Sequence, residues 1–128
     1  MKKRRMSDAK DRVPIEVFVS VRIDRDTNFG RWETTTSIGH GTFTVSGRAQ
    51  STDYCRLHLL GTVEALDRLH FDAAVTIHGA SQYVLAGVEK LPDWKAQDWP
   101  TATFRIIGNE DLWRRLDRSL QKHVVSWR

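Results

Sequence analysis

Residues 77–88 read I-H-G-A-S-Q-Y-V-L-A-G-V, and three further pieces complete this half of the chain: D-W-K-A-Q-D-W at 93–99, N-E-D-L-W-R-R-L-D at 109–117 and H-V-V-S-W at 123–127. Ala73 to Ile77 is a short apolar run of the buried-strand type, and a helix is expected from about Ser81 to Val88. Pro92 and Pro100 bracket a segment holding Trp94 and Trp99. Proline interrupts helices, so this segment is expected to be irregular or a broken helix. Asn109 with Glu110 and Asp111 supplies a cap residue and acids for the positive end of a last helix. Leu112, Leu116 and Leu120 form its core stripe, and Val124 to Trp127 reads as a closing strand.

Working backwards, the period changes from helical to two. Tyr54, Leu57, Leu60, Val63 and Leu66 recur at helical spacing after Ser51–Asp53, a ready N-cap. Gly61 and Ala65 share the side of His58 and leave it narrow enough for a helix to approach a sheet. From Ile15 the chain alternates, with Ile15, Val17, Val19, Val21 and Ile23 on one face and Glu16, Phe18, Ser20 and Arg22 on the other. Turn residues at Asp26–Gly30 precede strands at Trp32–Ile38 and Thr42–Val45, which Gly39-His40-Gly41 separates. Three strands, a helix, a strand, helices and a strand make an α/β domain on a mixed sheet.

Composition narrows the class. One domain of 128 residues, 40% hydrophobic and 28% charged, is ordinary for a soluble globular protein. Of 20 Lys/Arg and 16 Asp/Glu, six and two fall within residues 1–12, leaving 14 of each beyond them. The net charge of +4 therefore sits entirely in the N-terminal stretch, and the whole-chain isoelectric point says little about the domain. Residues 1–12 are expected to be a flexible basic arm and 13–128 the domain. Lys2-Lys3-Arg4-Arg5 is followed by Ser7-Asp8-Ala9-Lys10-Asp11-Arg12, which has no apolar core for a signal peptide. No run approaches the roughly 20 apolar residues of a membrane span. Cys55 alone cannot form an internal disulfide, so a reducing, cytoplasmic setting is expected.

The quoted segments resemble ribonuclease H of the cellular type 1 class. The resemblance covers about 110 residues, is most specific in S-Q-Y-V and D-L-W-x-R-L-D, and matches mainly in spacing over the N-terminal third. It implies a five-stranded mixed sheet, three antiparallel strands and then two parallel ones, flanked by helices. It also implies an active site of carboxylates holding two Mg²⁺ ions against a phosphodiester. Three of those carboxylate positions carry other residues here. Ser20 stands where the first strand should end in Asp, His58 takes the Glu position of the first helix, and Ala80 replaces the Asp before S-Q-Y-V. The fourth acid and a closing helix would follow the last strand, and this sequence stops at Arg128, so the domain is expected to be truncated at its C-terminus. Asp24 shares the face of Ser20 but lies four residues along, roughly 13 Å away at strand rise.

No cofactor and no metal site are expected. His58 is expected to fill space while hydrogen-bonded to a neighbour such as Ser20. A zinc site from His58, His78 and Cys55 would match no established motif. The five tryptophans, including Trp94 and Trp99, are expected in the core. Lys2, Lys3, Arg4 and Arg5, with an i, i+4, i+8 row of Arg114, Arg118 and Lys122, are the candidate nucleic-acid contacts. The leading expectation is an inactive ribonuclease H-like protein that binds an RNA–DNA hybrid or duplex, or a nucleic-acid-processing complex. The rival is an interaction or structural module without a nucleic-acid role, by analogy with the connection domain of reverse transcriptases; a residual hybrid ribonuclease is third. Surface near Val124, Val125 and Trp127 is expected to be covered by a second copy or a partner protein.

Overall fold

The computed structural model describes residues 12–99 and 107–128. Five strands and three helices follow one another as β1 (Val13–Asp24), β2 (Phe29–Ile38), β3 (Gly41–Ala49), α1 (Tyr54–Asp67), β4 (Ala73–His78), α2 (Gln82–Ala96), α3 (Glu110–Lys122) and β5 (Val124–Trp127). The sheet order is β3-β2-β1-β4-β5. β1, β2 and β3 are antiparallel neighbours, while β4 pairs with β1 and β5 with β4 in parallel. The mixed sheet expected from the element order is thus observed.

Strand alternation decides which face is covered. Ile15, Val17 and Val19 of β1 are buried, as are Trp32, Thr34 and Thr36 of β2 and Ala73, Val75 and Ile77 of β4. The helices supply the other half of the core through Leu57, Leu59, Val63 and Leu66 of α1, Val84 and Leu91 of α2, and Leu112, Trp113 and Leu116 of α3. α1 is buried around more of its circumference than its leucine stripe suggests. His58, Gly61 and Thr62 are buried too, while Tyr54 at its start is exposed. The helix lies between the sheet on one side and α3 on another, so a single stripe cannot describe it. At Gly61 a Cβ would already press on Val19 Cγ1 at 3.2 Å and Trp32 Cβ at 3.4 Å, which shows how closely the helix crosses β1 and β2.

α2 is longer than its sequence suggests. It runs to Ala96 and carries Pro92 inside it. A proline removes one backbone hydrogen bond and crowds the preceding turn. Here Leu91 is buried on one side of it, and Trp94 packs between Trp99 and Trp113 on the other. Burial of these side chains on both flanks outweighs the local penalty, so the helix continues to its cap at Gln97. Pro100 lies outside the described residues. β2 and β3 also extend beyond their expected limits, because ladder pairing continues to Gly30↔Ala49, past the apolar residues that mark the strands in sequence.

α3 starts at the expected place by a different device. Asn109 adopts a left-handed conformation (φ 62°) and makes no side-chain cap bond. Its side chain instead donates from Nδ2 to the Tyr83 hydroxyl at 2.9 Å and accepts from Arg56 at 3.0 Å. Arg56 also forms a two-pronged pair with Asp111 at 3.2 and 3.0 Å. That pair raises the Arg56 pKa and lowers that of Asp111. The N-termini of α1, α2 and α3 are tied together through these groups. No described helix is long and apolar enough to cross a membrane.

Candidate functional site

Val19 marks the point where three segments meet. β4 pairs with β1 only as far as Phe18↔His78, so among the described residues β1 has no strand partner on that side from Val19 onward. The chain leaves β4 through Gly79, which has φ +81° and lies so close that a Cβ would sit 2.8 Å from the Val19 carbonyl oxygen. Only glycine meets both demands without strain. The turn places Ala80, half-buried against the core, just before the Ser81 cap of α2. Across the helix layer, α1 passes over Val19 at Gly61, one turn after His58. Ser20, His58 and Ala80 therefore belong to segments that converge at one end of the sheet.

They do not converge as ligands. Ser20 is exposed and faces away from the helices, on the same face as Phe18. His58 is buried on the helix side. Its Nδ1 and Nε2 both lack a hydrogen-bond partner, and its ring packs against Tyr54 at 4.5 Å. The expected bond between His58 and Ser20 is therefore absent, since neither ring nitrogen has a partner. Thr62 donates to the His58 backbone carbonyl at 2.9 Å, leaving the ring unaffected. His78 is turned away from His58 as well. It stacks on Phe18 with ring centroids 4.4 Å apart, and its Nε2 meets Glu16 at 3.1 Å. The His58, His78 and Cys55 grouping does not form, and among the described residues no group of three or more His, Cys, Asp or Glu could hold a metal ion. Asp24 ends β1 and uses its carboxylate within the turn, accepting from the backbone N–H of Asp26 at 3.0 Å and Thr27 at 3.4 Å.

Burial lowers the His58 pKa, so the ring is held neutral. A neutral imidazole carries one N–H, and here that donor is buried without an acceptor. Such a group costs roughly 1–3 kcal/mol. Substituting His58→Leu is therefore expected to raise stability by about 1 kcal/mol, read as a higher urea midpoint at unchanged slope. A fall in the midpoint would mean that the imidazole has a partner after all.

His123 is a second buried histidine, and its structural part is not visible from sequence. Its Nδ1 accepts from the backbone N–H of Ala73 at 3.1 Å, joining the end of α3 to the start of β4. Its pKa is lowered, first by burial and then by the Lys122 charge. A protonated Nδ1 could no longer accept. For both histidines the folded pKa lies below the unfolded value of about 6.5. Their contribution is present above that value and is lost as pH falls through the folded pKa. The melting temperature is expected to decline from pH 7.5 to pH 5, with a shallower decline in His58→Leu. A flat profile over that window would contradict the burial of both rings.

The basic row on α3 is largely occupied by contacts within the domain. Arg114 pairs with Glu110 at 3.0 Å and lies over the Trp99 ring at 4.8 Å. Lys122 donates to the Leu69 carbonyl at 3.0 Å, while Arg118 is exposed. The adjacent Arg115 clamps α3 to α1 through Asp67 at 2.7 Å and Glu64 at 3.2 Å. Lys2, Lys3, Arg4 and Arg5 lie outside the described residues. Trp99 and Trp113 are buried and Trp94 packs against the core, as expected. At the C-terminal strand, Val125 and Trp127 pair with buried Val75 and Ile77 and are themselves half-buried.

A family model for RNase H matches residues 17–128. The chain belongs to the ribonuclease H family. Its relatives include Ribonuclease HI of Caulobacter vibrioides, 34% identical over 77% of this chain and 67% of that protein. Ribonuclease H of Rhodospirillum rubrum is 33% identical over 94% and 73%, and that of Bordetella pertussis 36% identical over 77% and 64%. The match thus spans about two thirds of the length of these relatives. Among solved structures, a type 1 RNase H with the type 2 active-site motif superposes with a TM-score of 0.75 at 18% identity, over 91% of this chain and 62% of that one. A foamy viral protease–reverse transcriptase in complex with double-stranded DNA superposes at 0.64 and 12% identity, over 96% and 85%. These likenesses establish the ribonuclease H fold. Against the two-Mg²⁺ centre implied by the family resemblance, the residues present do not fit. Mg²⁺ needs several oxygen ligands in octahedral array, whereas this chain offers an outward-facing hydroxyl, a buried imidazole and a methyl group.

Proposed function

We propose that this ribonuclease H-family chain binds nucleic acid without cleaving it. The observation that carries the reading is the joint replacement of three carboxylate positions by Ser20, His58 and Ala80, on a chain that keeps the family's five-stranded mixed sheet. Recognition of an A-form or hybrid duplex relies on backbone and minor-groove shape and needs no metal. The binding part of the reading rests on family membership and on the basic arm, which holds all of the net charge.

The test is titration of labelled RNA–DNA hybrid, duplex RNA and single strands by fluorescence anisotropy, in Mg²⁺ and again in chelator. Affinity is expected to be indifferent to Mg²⁺. Deleting residues 1–12 is expected to remove most of it and to flatten its dependence on salt, because each phosphate contact contributes a slope of roughly −0.9 for a duplex. No measurable affinity for any of these ligands at low salt would sink the reading. A protein-binding module is the second reading, favoured by Phe18, which stands 47% exposed on the helix-free face of the sheet. In that case a second copy or partner would cover the face, and sedimentation would show a species heavier than 14.8 kDa.

A further inference from the structure

Among the described residues no helix covers the outer face of the sheet, and that face carries a line of arginines that register alone creates. Arg22 of β1 stands directly opposite Arg31 of β2, and Arg31 stands opposite Arg48 of β3. Three guanidinium-bearing residues from three adjacent strands thus share one rung of the sheet, spanning about 10 Å at ordinary strand spacing. Arg25 in the β1–β2 turn borders the same hollow. All four are exposed, and none forms an ion pair among the described residues.

Like charges set opposite one another across a sheet oppose folding. Two of the side chains are nevertheless held in place. Arg48 lies over the Phe29 ring at 4.6 Å, and Arg31 donates to the Ser46 hydroxyl at 3.1 Å. The acids nearby are few. Asp24 and Asp26 border the hollow, the Asp24 carboxylate is engaged by turn N–H groups, and Glu33 follows Arg31 on the same strand face. Guanidinium groups are planar, permanently charged and suited to two-pronged contact with phosphate oxygens.

We infer that Arg22, Arg31 and Arg48, with Arg25 at the margin, form a phosphate-contacting row that holds the backbone of a nucleic-acid strand on the open face of the sheet. A row of three charges over this span suits successive phosphates of a polymer better than one isolated anion. The inference rests on the proposed nucleic-acid role and locates part of it on the domain rather than the arm, beginning two residues beyond Ser20 on the same face of β1.

The experiment compares the full chain, the arm deletion and the triple variant Arg22→Gln/Arg31→Gln/Arg48→Gln in the anisotropy titration across a salt series. The triple variant is expected to bind at least about 10-fold more weakly, with a salt slope lower by roughly 2–3. Its melting temperature is expected to be unchanged or higher, since mutual repulsion is relieved. The corresponding triple lysine variant should keep most of the slope. Competition with millimolar inorganic phosphate separates a polymer from a free anion: binding of the nucleic acid should persist. If the full chain binds nucleic acid and the triple glutamine variant matches it, the row is not the contact and the inference fails while the proposed function stands. Full displacement by inorganic phosphate at constant ionic strength would also overturn it. If the full chain binds nothing, the proposed function fails first.

Discussion

An RNA–DNA hybrid incubated with this protein and Mg²⁺ or Mn²⁺ is expected to remain intact under conditions in which a ribonuclease H relative degrades it completely. Metal ions in such a site stabilise transition-state charge by several kcal/mol, and each 1.36 kcal/mol is a factor of ten in rate. With Ser20, His58 and Ala80 in place of carboxylates, the expected deficit is on the order of 10⁴-fold or more. Cleavage that follows the protein through every purification step and disappears in Asp24→Asn would overturn the expectation and give that residue the role of a displaced ligand. Restoring Ser20→Asp, His58→Glu and Ala80→Asp together is not expected to recover full activity. Ser20 is exposed and His58 is buried, so restored carboxylates would stand in unlike surroundings. A carboxylate at His58 would also carry the cost of burying a charge.

The second large effect is expected at Gly87. This residue lies inside α2, where alanine would ordinarily be favoured by about 1 kcal/mol. A Cβ built on it overlaps the six-membered ring of Trp113, which is 1% exposed. That ring also packs on Tyr83 and Trp94 at centroid distances of 5.5 and 5.6 Å, and its Nε1 donates to the Tyr83 hydroxyl at 3.3 Å. Displacing it would disturb all three contacts at once. Overpacking of this kind costs roughly 1–3 kcal/mol and sometimes more. Gly87→Ala is therefore expected to destabilise the protein by about 2–3 kcal/mol, lowering the melting temperature by roughly 10 °C. Equal or greater stability would show that the Trp113 ring is free to move aside. Adding Trp113→Phe to the Gly87→Ala chain should recover part of the loss, because the smaller ring vacates the overlapped volume.

Much of this fold is readable from local pattern, because strand and helix periods differ and turn residues punctuate them. The alternation of β1, the Asp53 cap of α1 and the Leu112–Leu116 stripe of α3 all match the structure. The replacement of the family carboxylates is likewise a matter of residue identity, visible as soon as S-Q-Y-V is aligned with its preceding Ala80. The errors have a common origin in tertiary burial. Pro92 ends a helix in isolation, but here Leu91 and Trp94 hold it straight through. Asn109 is a good cap residue, yet Tyr83 and Arg56 compete successfully for its side chain.

Chain order and periodicity determine an α/β domain on a mixed sheet, the motif resemblance points to the ribonuclease H type, and residue identity puts Ser20, His58 and Ala80 where that resemblance implies carboxylates. The placement of side chains across strands and between layers was decided only in three dimensions. Period-two alternation puts Arg22 on the outer face of β1, but no local rule says that Arg31 and Arg48 stand opposite it, because register depends on how whole strands align. In the same way, no local rule says that the His58 ring is buried without a hydrogen-bond partner while Ser20 is exposed. Whether two side chains can meet depends on how strands and helices pack, and that packing exists only once the chain has folded.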